Sequence, residues 1–272
     1  MNDYSDPFYN GSGSWTSILG WNTSLLDTLP DSDSYYKAAT ENLDGYSIVP
    51  GGELEQFYLK ETIGNTSEAV INFGGNISDK LFFGVNLGIV SIWYKHSEIY
   101  SERAVNPGEF QSGFSSFRHN YNYTTSGTGF NLKAGIIYLP IAGLRLGASI
   151  STPTWMYLHE EYEEIMESEF TDGYSQWIAS PLGTYDYRIN TPFRWNVGAA
   201  YTFGSVTAIS IDYESANYSR MKMIDDNYTM AFHEENQAIK REFKSSDIIR
   251  AGAEVRINPA FAVRAGYQYY TS

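Results

Sequence analysis

Two arginines six residues apart, Arg188 and Arg194, are each followed two positions later by an asparagine, Asn190 and Asn196. This arrangement could hold an acidic head group, because a guanidinium presents two parallel N–H donors to a carboxylate and a side-chain amide adds neutral donors beside it. Trp155 and Tyr157, with Met156 between them, would supply apolar wall to the same ligand, or line an interfacial aromatic girdle. A second reading of the arginines stays open. Together with Lys133, Arg145, Arg250, Arg256 and Arg264 they can pair with Asp186, Asp212, Glu214 and Glu254 in a network that braces a wall of strands.

Catalytic chemistry finds little support. His159-Glu160-Glu161-Tyr162-Glu163 has a glutamate where a zinc-binding His-Glu-x-x-His needs its second histidine, and His233-Glu234-Glu235-Asn236 fails in the same way. There are four histidines, no cysteine and no nucleophile elbow. We therefore expect no enzyme, no catalytic residue, no metal and no cofactor. The acidic run 160–169 reads as a solvated loop, with divalent-cation binding as its alternative.

The elements that would carry these residues are strands. Along 185–203 the odd positions are Tyr185, Tyr187, Ile189, Thr191, Phe193, Trp195, Val197, Ala199, Tyr201 and Phe203, whereas the even ones are mostly polar, charged or small. Such alternation puts one set on each face of a strand. The same dyad recurs from about residue 66, at 69–73, 81–89, 130–138, 144–150, 209–213, 249–257 and 261–269, giving about eight strands. Tight turns are expected at Ser78–Lys80, Pro140–Gly143, Gly204–Ser205 and Asn258–Ala260. Long polar segments, 96–123, 159–184 and 220–246, alternate with them and read as loops. Short turns on one rim and long loops on the other are the layout of an outer-membrane barrel, with the turns periplasmic and the loops extracellular. Pro153 and Pro192 fall inside strands and must mark an edge, bulge or kink. Residues 1–50 form a polar loop region with a short helix near Trp15–Leu26, and 51–272 the barrel wall; 230–244 can form a further short helix.

Composition agrees. Aromatics make up 16% of 272 residues, with 23 tyrosines against only 18 lysines and arginines, and the net charge is −14. An acidic chain does not suit nucleic acid, which needs a basic surface. A polar average is compatible with a barrel, since lipid-facing and lumen-facing residues alternate.

Several stretches resemble one family taken together: 127–140 (GTGFNLKAGIIYLP), 143–154 (GLRLGASISTPT), 191–201 (TPFRWNVGAAY), 210–214 (SIDYE), 73–84 (FGGNISDKLFFG) and 250–256 (RAGAEVR). As a set they resemble the FadL/TodX long-chain fatty acid and hydrocarbon transporters, in particular Bacteroidetes-type members, over roughly 66–271. The resemblance implies a 14-stranded antiparallel transmembrane β-barrel plugged by an N-terminal hatch with an Asn-Pro-Ala motif. Asn258-Pro259-Ala260 copies the letters but sits in a late turn. With no hatch, no signal peptide at Met1 and no terminal aromatic, the sequence reads as an internal piece of a larger chain. The function implied is passive passage of hydrophobic compounds, such as fatty acids or aromatic hydrocarbons, through a monomeric barrel. Its surroundings would be outer-membrane lipid and lipopolysaccharide of a Gram-negative cell. The alternatives are an outer-membrane receptor, haem-associated or general, and a structural or adhesive surface barrel; a barrel lipase is a third.

Overall fold

Period-2 alternation sets the architecture, because a chain with one apolar and one polar face can satisfy its backbone only by pairing laterally. The computed structural model describes residues 14–29, 36–228 and 230–271; the parts of the N-terminal polar region at 1–13 and 30–35 lie outside them. In chain order the elements are α1 (Trp15–Asn22), β1 (Leu26–Thr28), β2 (Tyr36–Ala38), β3 (Glu41–Asp44), β4 (Ser47–Pro50), β5 (Leu54–Ile77), β6 (Leu81–Ala104) and β7 (Phe114–Tyr138). There follow β8 (Leu144–Ser151), β9 (Trp155–Phe170), β10 (Ser175–Ala179), β11 (Gly183–Asn190), β12 (Arg194–Phe203), β13 (Thr207–Asn217) and β14 (Lys222–Ile224). The last three are α2 (His233–Glu242), β15 (Ser245–Asn258) and β16 (Phe261–Tyr270). No helix among the described residues is long and apolar enough to cross a membrane. The expected all-β antiparallel class is borne out.

The chain forms two units, Met1–Gly64 with Tyr94–Thr125 and Glu160–Tyr185, and Asn65–Trp93 with Ser126–His159 and Asp186–Ser272. Twelve of the described strands form one antiparallel sheet, in which β5, β6, β7, β8, β12, β13, β15 and β16 are successive neighbours; these eight match the alternating stretches read from the sequence, and β9, β10, β11 and β14 are additional. Its register lines up side chains in rows. Ile136, Ala148, Val197, Tyr213, Ile249 and Tyr269 stand opposite one another on consecutive strands, and so do Tyr138, Leu146, Ala199, Ile211, Ala251 and Tyr267. Most of the large side chains in these rows are exposed, Ile211 at 56% and Tyr267 at 70%. The intervening rows carry most of the polar and small side chains: Gly147, Gly198, Asp212, Arg250 and Gln268 line up beside Ile137 in one, and Ser149, Asn196 and Glu214 beside Ile248 and Tyr270 in another.

The turns take the expected positions. Ser78 and Asp79 both have positive φ, 55° and 52°, which is the twist a two-residue hairpin needs, and the Lys80 N–H returns to the Ile77 carbonyl at 3.1 Å. Gly143 has φ 86°, and a Cβ there would lie 2.6 Å from the Thr202 carbonyl, so both conformation and space demand glycine. Asn258 closes the last hairpin by accepting from the Ala260 N–H at 2.9 Å, a local turn role.

Three expectations need correction. The strand anticipated over 185–203 is two strands, β11 and β12, separated at residues 191–193, because Pro192 has no N–H for the ladder. Pro153 breaks the preceding strand in the same way, into β8 and β9. Alternation also starts earlier than residue 66, at Leu54, where its polar side chains on both faces obscure the period. The segments read as loops at 96–123 and 159–184 are largely hairpin strands, and 220–246 carries the short β14 as well as α2, which falls inside the expected 230–244 helix.

The first unit holds a small apolar core. Leu19, Leu25, Ala39, Phe110, Phe114 and Met166 are buried together, with Phe114 edge-on to Phe110 and Phe170 at ring separations of 5.6 and 6.4 Å. α1 starts at an N-cap, where Ser14 Oγ accepts from the Ser17 N–H at 3.2 Å. At its other end the buried Ser168 hydroxyl donates to the Thr23 carbonyl at 2.6 Å, fastening the helix to β9.

Candidate functional site

The arginines proposed for a head group are each held by a carboxylate. Arg188, on β11, pairs with Asp226 and stands over the Tyr157 ring, its guanidinium 5.8 Å from the centroid. Both line a cavity of about 410 Å³ in the second unit, together with His159 and Asp186, which share a 2.7 Å contact. Arg188 Nε is enclosed there and makes no hydrogen bond among the described residues. Arg194, on β12, reaches Glu214 at 3.2 Å and the Tyr218 hydroxyl at 3.4 Å. The two guanidiniums therefore engage separate carboxylates. Asn196 accepts from Ser149 Oγ at 2.8 Å, and Asn190 pairs in backbone register with Lys222. Trp155 packs on Phe130 with ring centroids 5.1 Å apart. Of the six residues, Arg188 and Tyr157 line this cavity together.

On the polar face of β12, β13 and β15 the charges form a chain. Arg194 and Arg250 both bind Glu214, at 3.2 and 2.9 Å, and Arg250 also binds Asp212 at 3.1 Å. Elsewhere on strands Lys133 meets Glu68 at 2.7 Å and Arg264 meets Glu254 at 2.6 Å. Lys133, Arg194, Arg250 and Arg264, four of the basic residues that the sequence offered for a bracing network, are thus in ion pairs on strands. No group of three or more possible metal ligands occurs among the described residues.

A second cavity, about 390 Å³, lies wholly in the first unit under α1. Leu25, Leu26, Ala38, Phe117 and Met166 give it apolar walls, and Thr16, Ser17, Tyr100, Glu102 and His119 its polar groups. Tyr100 donates its hydroxyl to Glu102, and Gln56 Nε2 donates to the same carboxylate oxygen at 2.6 Å. Burial, aided by that acceptor, pushes the Tyr100 hydroxyl up to about 12. His119 Nε2 contacts Glu164 Oε2 at 3.0 Å, and Thr16 donates to the same oxygen at 2.8 Å. The bond with His119 and the lesser one from Thr16 hold Glu164 below the usual carboxylate range against its burial.

No protein-family model matches this sequence, and no curated protein does. Among solved structures the chain is similar to the toluene transporter TbuX of Ralstonia pickettii, at 14% identity and a TM-score of 0.44, over 80% of this chain and 57% of that one. It is similar to the toluene transporter TodX of Pseudomonas putida at 12% identity and a TM-score of 0.38, over 82% of this chain and 76% of that one. A deltaS2 mutant of the TodX monoaromatic hydrocarbon channel aligns at 14% identity and a TM-score of 0.47, over 77% and 55%. This chain thus spans little more than half of the TbuX chain.

The cavity under α1 escaped the sequence reading because its walls come from separate stretches. Leu25-Leu26 closing a short helical segment was the one local hint; Tyr100, Phe117, His119 and Met166 lay in segments read as polar loop.

Proposed function

We propose that this protein forms wall of a Gram-negative outer-membrane β-barrel that passes hydrophobic small molecules. The observation that carries the reading is the pair of faces on the eight-strand meander. One bears consecutive rows of exposed aliphatic and aromatic side chains, and the other bears ion-paired arginines and carboxylates. A water-soluble sheet would cover an apolar face of this size, whereas lipid is a favourable neighbour for it. In this reading the exposed rows of the second unit contact lipid and the short turns face the periplasm. Strands β5 and β16 each have one described neighbour. An open edge cannot face hydrocarbon, so in the membrane both are paired, with each other or with further strands of a larger barrel. The family resemblance of the sequence supports hydrophobic compounds as cargo, fatty acids or aromatic hydrocarbons among them, and a monomeric barrel.

The test is fractionation followed by uptake. The full-length protein is expected in the detergent-resistant outer-membrane fraction, with heat-modifiable migration. Cells carrying it should take up radiolabelled toluene faster than cells lacking it. Recovery as a soluble protein without detergent would remove the membrane reading, and unchanged uptake would remove the transport reading.

A further inference from the structure

The cavity under α1 has the size of a small-ligand site, apolar walls and a charged corner of one sign. We infer that it takes an uncharged hydrophobic molecule carrying a hydroxyl-sized polar end, and that Glu102 turns carboxylates away. This rests on the function proposed above and deepens it by naming a substrate class.

The argument is one of charge complementarity. Glu102 Oε1 receives both Gln56 and Tyr100, while a carboxylate has room for about four donors, so acceptor capacity is left for a ligand hydroxyl. Among the described residues that line the cavity there is no lysine or arginine. The remaining titratable pair, His119 with Glu164, is matched internally. A ligand carboxylate would therefore meet a fixed like charge, with apolar surface around it and no guanidinium to offset it. A neutral donor meets an acceptor instead. Arginine lines the other cavity, where Asp226 already occupies it.

The experiment compares two ligands of equal carbon skeleton, benzyl alcohol and benzoate, at pH 7 on detergent-purified full-length protein by titration calorimetry. Benzyl alcohol is expected to bind on the order of tenfold more tightly than benzoate. Glu102→Gln should bring the two affinities within about threefold of each other while benzyl alcohol still binds, which also shows that the variant is folded. Ser17→Trp, placed on α1 facing the cavity, should abolish benzyl alcohol binding with heat-modifiability retained. Equal affinities in the unaltered protein, an unchanged ratio in Glu102→Gln, or binding that survives Ser17→Trp would each overturn the assignment. Toluene uptake separates this from the parent reading. Absent uptake in the unaltered protein, with the binding ratio as expected, removes transport and leaves the cavity's selectivity supported.

Discussion

Thr154 and Thr191 hold each other across two interrupted strands: the Thr154 N–H donates to Thr191 Oγ1 at 2.8 Å, and the Thr191 N–H donates to the Thr154 carbonyl at 3.1 Å. Each threonine adjoins a proline, Pro153 and Pro192, that takes a donor out of the ladder. One threonine further back, Thr152 accepts from the Leu132 N–H through Oγ1 at 3.0 Å. Hydroxyls thus stand in for the missing strand pairing. Thr191→Val keeps the β-branched shape and removes the acceptor, leaving the Thr154 N–H without a partner. We expect a loss of about 1–3 kcal/mol, and little loss for Thr191→Ser. Urea titration of heat-modifiability checks both.

The exposed rows predict where charge is least tolerated. Ile211 is in the middle of a row that runs from Tyr138 to Tyr267. Ile211→Arg should destabilise the folded barrel by about 2–4 kcal/mol in lipid. On the neighbouring row Ser210→Arg, on the opposite face, should cost markedly less. Equal effects of the two substitutions in vesicle-based unfolding would contradict the assignment of faces.

Much of this was legible beforehand, because a period of two needs no tertiary information. The shared face of Val197 with its strand neighbours, that of Ile211 with its own, and the turns at Ser78, Gly143, Gly204 and Asn258 follow from local sequence alone. What stayed hidden depends on who meets whom. Arg188 and Arg194 differ little in sequence setting, yet one finds Asp226 on a distant irregular segment and the other Glu214 on the adjacent strand. Tyr100, Phe117, His119 and Met166 come together only when hairpins longer than the roughly six-residue typical strand pair beyond the expected loop boundaries. Local hydropathy carries no record of such pairing.

Glu214 is the shared anion of the polar face, binding Arg194 at 3.2 Å and Arg250 at 2.9 Å with only 14% of its side chain exposed. Glu214→Gln leaves two guanidiniums facing one neutral amide, with Asp212 as the remaining anion. A loss of about 1–3 kcal/mol is expected, tempered by the half-exposed state of Arg194. Asp212→Asn, which frees Arg250 from only one of two partners, should cost less. The ordering of the two variants in denaturant midpoint is the check; the reverse order would argue against a network centred on Glu214.

The contact between Glu164 and His119 predicts an acid-sensitive cavity. Hydrogen bonds from His119, and to a lesser extent Thr16, hold the Glu164 carboxyl below its ordinary value of 4.5. A folded-state value lower than the unfolded one means that the contribution is fully present above about pH 4.5 and is lost as the pH falls through the lowered folded value. The amides of α1, tied to Glu164 through Thr16, should exchange with solvent faster on acidification than those of β12 after correction for intrinsic exchange. Glu164→Gln should weaken protection of α1 at neutral pH and remove its acid dependence in this window. An acid-induced loss of α1 protection that persists unchanged in Glu164→Gln would place the sensitive group elsewhere in the first unit.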